Sequence, residues 1–262
     1  MLESKNLELA GSYHQEPMSY EALLNWCYAQ AAQFGPYICD AGAYLQAASN
    51  AGKRIVLQAQ LGAMRDIDYG IFPYTSSSNT LAAYAPLGAG IPNVRLNHVV
   101  GVLKAYSTCV GAGPFTAEKA MPEAWMESLR KAGGEFGAAT GRPRRVGPFD
   151  CVASRYGLAC QGADKIALTK LDVLSYMDKI PVCVAYDIDG EITTDFPTGA
   201  KLDRAKPVIE YVDGFGDISG CRTKDELPEA AVKYIEYIEK AVGCPVKYAS
   251  VGAERDEYIQ MF

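Results

Sequence analysis

The sequence predicts an α/β chain, with a largely parallel sheet flanked by helices and a small antiparallel excursion near 182–212. Three observations carry that expectation. Short apolar runs alternate with amphipathic segments along the chain. Asp187-Ile188-Asp189-Gly190 is a hairpin signal between two strand-like runs. The composition is that of a globular protein, with 49% hydrophobic and 21% charged residues over 262 positions, which excludes a disordered or fibrous chain. That length can bury a sizeable core, and one domain over residues 1–262 is expected.

The elements follow in order. Ser19 to Phe34 reads as a helix: Tyr20, Leu23, Leu24, Cys27, Ala31 and Phe34 share a face, Ser19 is its cap, and Gly35-Pro36 stops it. A second helix is expected from Ile38 to Asn50. Arg54 to Gln60 and Asn97 to Tyr106 read as buried strands, whereas Leu61 to Pro92 is rich in Gly, Pro and Ser and reads as a long loop. Thr116 to Ala132 is helical around an interruption at Pro122. Gly133 to Asp150 is loop-like, and a helix is expected from Asp150 to Gln161. Strands are expected at Lys165 to Leu168, Val182 to Tyr186, Glu191 to Phe196 and Pro245 to Val251, with a Pro-initiated helix over Pro228 to Val242.

Charge and cysteine usage narrow the function classes. The 25 Lys and Arg against 31 Asp and Glu leave −6, which disfavours a broad nucleic-acid face. The eight cysteines include no C-x-x-C pair, and only His14 and His98 could join them, so no zinc spacing exists. The expectation is reduced, mostly buried thiols in a cytoplasmic protein. No apolar run reaches the ~18 residues of a membrane span. Asp66 and Asp68 read as turn caps rather than metal ligands. His98 reads as a hydrogen-bonded core histidine, and no G-x-S-x-G elbow is present.

Three constellations can carry chemistry. Thr169-Lys170-Leu171-Asp172 ends a predicted strand, where ligands of open α/β sheets sit. A carboxylate there can accept both the N1–H and the exocyclic amine of guanine, while the lysine stem lies along the base. A capped strand end with a solvated lysine is the plain alternative. Ser250-Val251-Gly252 follows the last strand and can offer backbone N–H groups to a base carbonyl, or be simply a turn. Gly137 to Arg145 places three guanidinium groups, those of Arg142, Arg144 and Arg145, in a glycine-rich loop suited to carboxylate or phosphate. A solvated basic loop is the alternative there.

In this order these pieces resemble the C-terminal part of the adenylosuccinate synthetase family, which joins IMP to L-aspartate at the expense of GTP in purine synthesis. The matching runs are Asp66-Ile67-Asp68-Tyr69-Gly70, Phe72 to Asn79, Lys104 to Thr108, Val110 to Phe115, Glu135 to Arg145, Leu168 to Leu174, Val182 to Tyr186 and Ser250 to Gly252. They cover nearly the whole chain from about Ser19. The resemblance implies a P-loop-NTPase-like family fold and assigns GTP contacts to Arg144, Lys170, Leu171, Asp172, Ser250, Val251 and Gly252. It assigns IMP contacts to Gln60, Ser76 and Arg142. An aspartate-closing loop falls on Ala138, Ala139, Thr140, Gly141, Arg142, Pro143 and Arg144.

Departures accompany the match. Leu61 stands at the family's IMP glutamine position, with Gln60 one residue earlier. Ser76 replaces a threonine, Cys109 an arginine, and Thr116-Ala117 a Pro-Thr pair before Glu118. The family's phosphate loop, its catalytic aspartate and its catalytic histidine have no counterpart here. The expectation is therefore a truncated chain, inactive alone, with no catalytic or metal residue of its own. Mg2+ is expected for the complete enzyme, and a homodimer or a separate N-terminal polypeptide is the partner implied. The alternative is a non-catalytic guanine-nucleotide-binding or oligomerisation module derived from that enzyme.

Overall fold

In a computed structural model describing residues 1–262, the chain forms two units: Met1–Ile55 with Ala89–Ile91, and Val56–Gly88 with Pro92–Phe262. The first unit holds α1 (Leu2–Ser12), α2 (Tyr20–Phe34) and α3 (Ala41–Asn50). Ser19 caps α2 as expected, its Oγ accepting the Ala22 N–H at 3.1 Å. Asp40 caps α3 through Oδ1 on the Ala43 N–H at 2.9 Å, so that helix starts after Asp40 rather than at Ile38. None of the side chains on these three helices is buried; Leu23 and Leu24 are half-buried, and Tyr20 and Phe34 of the expected core face are exposed. A unit this small has little interior to offer.

The second unit carries the sheets. Its elements are α4 (Ala85–Gly88), β1 (Val100–Lys104), β2 (Ser107–Cys109), α5 (Glu123–Ala132), β3 (Arg145–Gly147), β4 (Phe149–Asp150), α6 (Cys151–Gln161) and β5 (Lys165–Thr169). They continue as β6 (Lys179–Ile188), β7 (Glu191–Thr193), α7 (Ala200–Arg204), β8 (Lys206–Asp213), α8 (Glu229–Val242), β9 (Val246–Ser250) and β10 (Tyr258–Gln260). The largest apolar core lies under a sheet of order β1-β5-β9-β10, parallel except at β10. A second sheet centres on β6, parallel to β4 and antiparallel to β7 and β8, and β2 pairs antiparallel with β3. The α/β class holds, with more antiparallel pairing than the excursion near 182–212 alone.

Packing explains the frame. Ala231, Tyr234, Ile235, Ile238 and Val242 of α8 recur at helical spacing and are buried in one cluster with Ile166 and Leu168 of β5 and Val246 and Ala249 of β9. Each such aliphatic side chain contributes about 1.5–3 kcal/mol of transfer free energy. The hairpin turn forms as expected, with Asp189 and Gly190 at φ 57° and 93°, the left-handed pair that matches strand twist.

Several expectations are corrected. Arg54 to Gln60 forms no strand and Val56 is 91% exposed: the run straddles the junction of the units, and no strand of the chain pairs with it. Apolarity alone does not supply a pairing edge. The strand expected from Asn97 is β1, but it is an edge strand, paired only to β5, with Val100 and Val102 exposed. His98 is likewise exposed rather than a core residue, its Nδ1 3.1 Å from Asp164 Oδ2. All eight cysteines are free, yet only Cys151, Cys183 and Cys244 are buried.

Asp150, at the end of β4, ties α6 to β6 of the same sheet. It caps that helix through Oδ1 on the Ala153 N–H at 3.0 Å and accepts the Tyr186 hydroxyl on Oδ2 at 2.6 Å. Burial outweighs those hydrogen bonds and pushes its carboxyl up to about 6. The folded chain then binds a proton more tightly than the unfolded chain. This contribution is fully present below the unfolded value of 3.8 and is lost as pH rises through about 6. Denaturant unfolding between pH 4.5 and 6.5 is expected to show a loss on the order of 2 kcal/mol that Asp150→Asn, which keeps the cap, abolishes. An unchanged slope in the variant would assign the titration to another group.

Candidate functional site

The strand order sets the site. Parallel β5 and β9 are neighbours, so the turns leaving their carboxyl ends meet: the Leu171 N–H donates to the Ser250 carbonyl at 3.2 Å. Lys170-Leu171-Asp172 and Ser250-Val251-Gly252, 78 residues apart from Asp172 to Ser250, thus form one surface. Leu171 and Val251 point into the core, both fully buried, and anchor it.

Lys170 takes a left-handed conformation, φ 59°, which costs a non-glycine residue on the order of 1 kcal/mol. Its side chain is 37% exposed but its ammonium is engaged: Nζ donates to the Gly133 carbonyl and lies 3.4 Å from Glu135 Oε1. Asp172 carries a buried Oδ1 with no hydrogen-bond partner, and burial raises its pKa despite the nearby Lys170 charge. An unpartnered carboxylate oxygen at a strand end is a ready acceptor. Ser250 turns its hydroxyl to the Gly252 carbonyl at 2.8 Å, and the Val251 N–H donates to the Glu257 carbonyl at 2.9 Å.

The arginine loop is a tight excursion. Phe136 and Pro143 bridge its base, Gly137 N–H reaches the Arg142 carbonyl and Gly141 N–H reaches Gly137, both at 2.8 Å. Ala138, Ala139, Thr140, Gly141, Arg142 and Pro143 are exposed at the tip. The three arginines divide. Arg142 projects outward, Arg144 binds Glu135 Oε2 at 2.9 Å, and Arg145 pairs with Glu118 and donates to the Gly113 carbonyl at 2.7 Å. Arg144 therefore joins the strand-end surface through Glu135. Gln60, Ser76 and Arg142 have no hydrogen bond or ion pair to it. Gln60 is exposed in coil, and Ser76 spends its hydroxyl on the Arg65 carbonyl at 2.9 Å. Asp66 caps its turn, Oδ1 accepting from Asp68 and Tyr69 and Oδ2 from Thr80.

Glu135 is the residue whose importance sequence reasoning missed. It is fully buried and accepts from Lys104 Nζ at 2.8 Å, the Tyr106 hydroxyl at 2.6 Å and Arg144. Burial alone would raise its pKa, but the hydrogen bonds from Lys104 and Tyr106, the Lys104 charge and the Arg144 hydrogen bond bring it down to about 2. Its partners are 9 to 35 residues distant in sequence, so no local spacing marks it. Glu257 was missed as well, although its contacts with Gly252 and Glu254 are local. Its carboxylate packs over Gly252 and also accepts the Glu254 N–H at 3.0 Å.

An α/β domain whose polar groups gather at the carboxyl ends of parallel strands is the architecture of a small-molecule-binding protein. The family model for adenylosuccinate synthetase matches residues 1–259, and the chain belongs to that family. The match thus begins before Ser19. The chain is 42% identical over 258 residues to adenylosuccinate synthetase of Frankia alni, covering 98% of this chain and 60% of that protein. It is 42% identical over 260 residues to the Mycobacterium marinum enzyme, with the same coverage of 98% and 60%. The fully ligated adenylosuccinate synthetase structure from Plasmodium falciparum superposes with a TM-score of 0.88 at 35% identity, covering 99% of this chain and 62% of that one. The chain therefore spans about 60% of the length of the curated relatives it matches.

A Cβ at position 252 would stand 2.1 Å from Glu257 Oε2 and 3.0 Å from Glu257 Cβ. Gly252→Ala is expected to cost about 1–3 kcal/mol of stability. Combined with Glu257→Ala it should cost less than the two single changes summed, as read by thermal or denaturant unfolding. Strict additivity would mean that Glu257 is not what excludes the side chain.

Proposed function

We propose that this chain carries the guanine-nucleotide-binding and aspartate-binding portion, and part of the IMP-binding portion, of a GTP-dependent ligase that forms adenylosuccinate from IMP and L-aspartate. Family membership supports the reaction class, and the chemistry of the strand-end surface supports the nucleotide. The observation that carries it is the unpartnered, buried Oδ1 of Asp172 beside the Ser250-Val251-Gly252 turn. An ionised carboxylate accepts the two donors that guanine presents along one edge, N1–H and the exocyclic amine. Adenine offers no such pair.

In this reading Asp172 selects the base, the Lys170 stem covers its face, and the backbone of Ser250 to Gly252 meets its carbonyl. Arg142, exposed at the loop tip, grips the carboxylate of aspartate and reaches IMP, and Arg144 reaches GTP. Gln60 and Ser76 belong to the IMP side. The reading extends to a homodimer in the cytoplasm. Mg2+ would neutralise phosphate charge in the complete reaction, but this chain's residues do not fit that ion. No group of three or more His, Cys, Asp or Glu lies together, and Asp66 spends both oxygens on backbone N–H groups.

Titration of the chain with a fluorescent guanine nucleotide, displaced by GTP and not by ATP, is the expected result. Asp172→Asn presents one donor and one acceptor in place of two acceptors. Its preference should therefore move from guanine toward xanthine nucleotides by roughly tenfold or more. Equal displacement by ATP, or an unaltered preference in the variant, would remove Asp172 as the reader of the base.

A further inference from the structure

Lys104 and Lys170 leave the carboxyl ends of adjacent parallel strands, since Lys104 pairs in register with Thr169, the residue before Lys170. Both ammonium groups turn toward the same buried carboxylate, that of Glu135, at 2.8 and 3.4 Å. Arg144 approaches the opposite oxygen at 2.9 Å. Backbone contacts double these links. Lys170 Nζ also donates to the Gly133 carbonyl, and the Arg144 N–H donates to the Glu135 carbonyl at 2.9 Å. The short segment 133–135, just past the end of α5, therefore holds the base-side lysine and an arginine of the loop at once.

Three cations and one anion leave this cluster with an excess of positive charge, so the arrangement is not a closed ion pair. Were Glu135 neutral, the cations would repel one another and seek water. With it ionised, each is drawn to a common point, and the Tyr106 hydroxyl, 2.6 Å from Oε1, fixes where that point lies. Glu135 is fully buried and so does not itself touch a ligand arriving from solvent.

We infer that Glu135 is a positioning residue that sets Lys170 of the strand-end turn and Arg144 of the arginine loop from one carboxylate, so that the base-binding turn and the loop are held in register with each other. The inference rests on the reading of the Lys170-to-Asp172 turn as the base site. It adds a residue outside the ligand contacts and a physical link between two parts of the site.

The test has one arm that needs no ligand. Amine acylation of the free 262-residue chain, read by mass spectrometry, should be several-fold faster at Lys170 in Glu135→Gln than in the parent. Lys119, held by the carbonyls of Asp203 and Ala205, should not change and serves as the reference. Where Glu135→Gln does not fold, Glu135→Asp carries the same test, because the shorter carboxylate withdraws first from its longest contact, Lys170. An unchanged Lys170 rate in a folded variant overturns the inference, whatever the chain binds.

The second arm is a double-mutant cycle on fluorescent guanine-nucleotide affinity. Glu135→Gln should weaken binding about tenfold, the scale of one charge-assisted hydrogen bond, and should weaken it by clearly less when Lys170→Met is already present, the remainder passing through Arg144. Equal losses in both backgrounds would mean that Glu135 acts through general stability and not through Lys170, which overturns the inference. If the parent chain binds no guanine nucleotide while Lys170 acylation still responds to Glu135, the base-site reading fails and the positioning of Lys170 stands.

Discussion

A carboxylate taken out of water must be met by cations or donors, and the site is organised around the one that is met most fully. Glu135 draws Lys104, Arg144 and Lys170 toward a single point, with Tyr106 completing its shell. Its partners come from β1, from the segment after it, from the arginine loop and from the turn after β5, so one carboxylate adds a common centre to the backbone contacts that already link these pieces. The parallel pairing of β5 with β9 then adds the Ser250 turn. A left-handed lysine is tolerable in this setting because both its backbone neighbours and its Nζ are held.

Two acids in the same unit show how environment decides the fate of a buried carboxyl. Glu135 is surrounded by permanent cations and is held ionised well below the usual range. Asp150, equally enclosed, has a hydroxyl and backbone N–H groups but no cation beside it, and moves the other way. The first contributes stability at neutral pH and the second withdraws it. Each position suits a different role, since one centres a charged cluster while the other caps a helix and ties it to β6.

Much of the architecture is legible in the residues. Ser19, the break at Pro122, the Asp187 to Gly190 turn and the helix after Pro228 rest on local rules of capping and turn chemistry, and the structure follows them. The strand ends bearing Lys170 and Ser250 are also legible, because short apolar runs closed by polar turns mark them. The misreadings share a cause. Apolarity alone misplaces Arg54 to Gln60, the outer face of β1 and the helix face of α2, because burial depends on what lies opposite, and a sequence window does not contain the opposite side. Glu135 escapes because its meaning lies in long-range contacts, and a single acid between a glycine and an aromatic carries no spacing signal.

Arg65 binds its surroundings in a different manner from the arginines of the loop. It donates to the backbone carbonyls of Tyr74, Val110 and Ala112, with the Cys109 sulfur beside them at 3.0 Å. Carbonyl oxygens are common to every residue type, so this clasp recognises the path of the chain and is indifferent to the letters written along it. The glycine-rich bend after β2 is held by this clasp together with its own glycines, Gly111 and Gly113, whose φ of 85° and 108° suit that residue. A change of side chain at 109 would leave those three carbonyl acceptors in place.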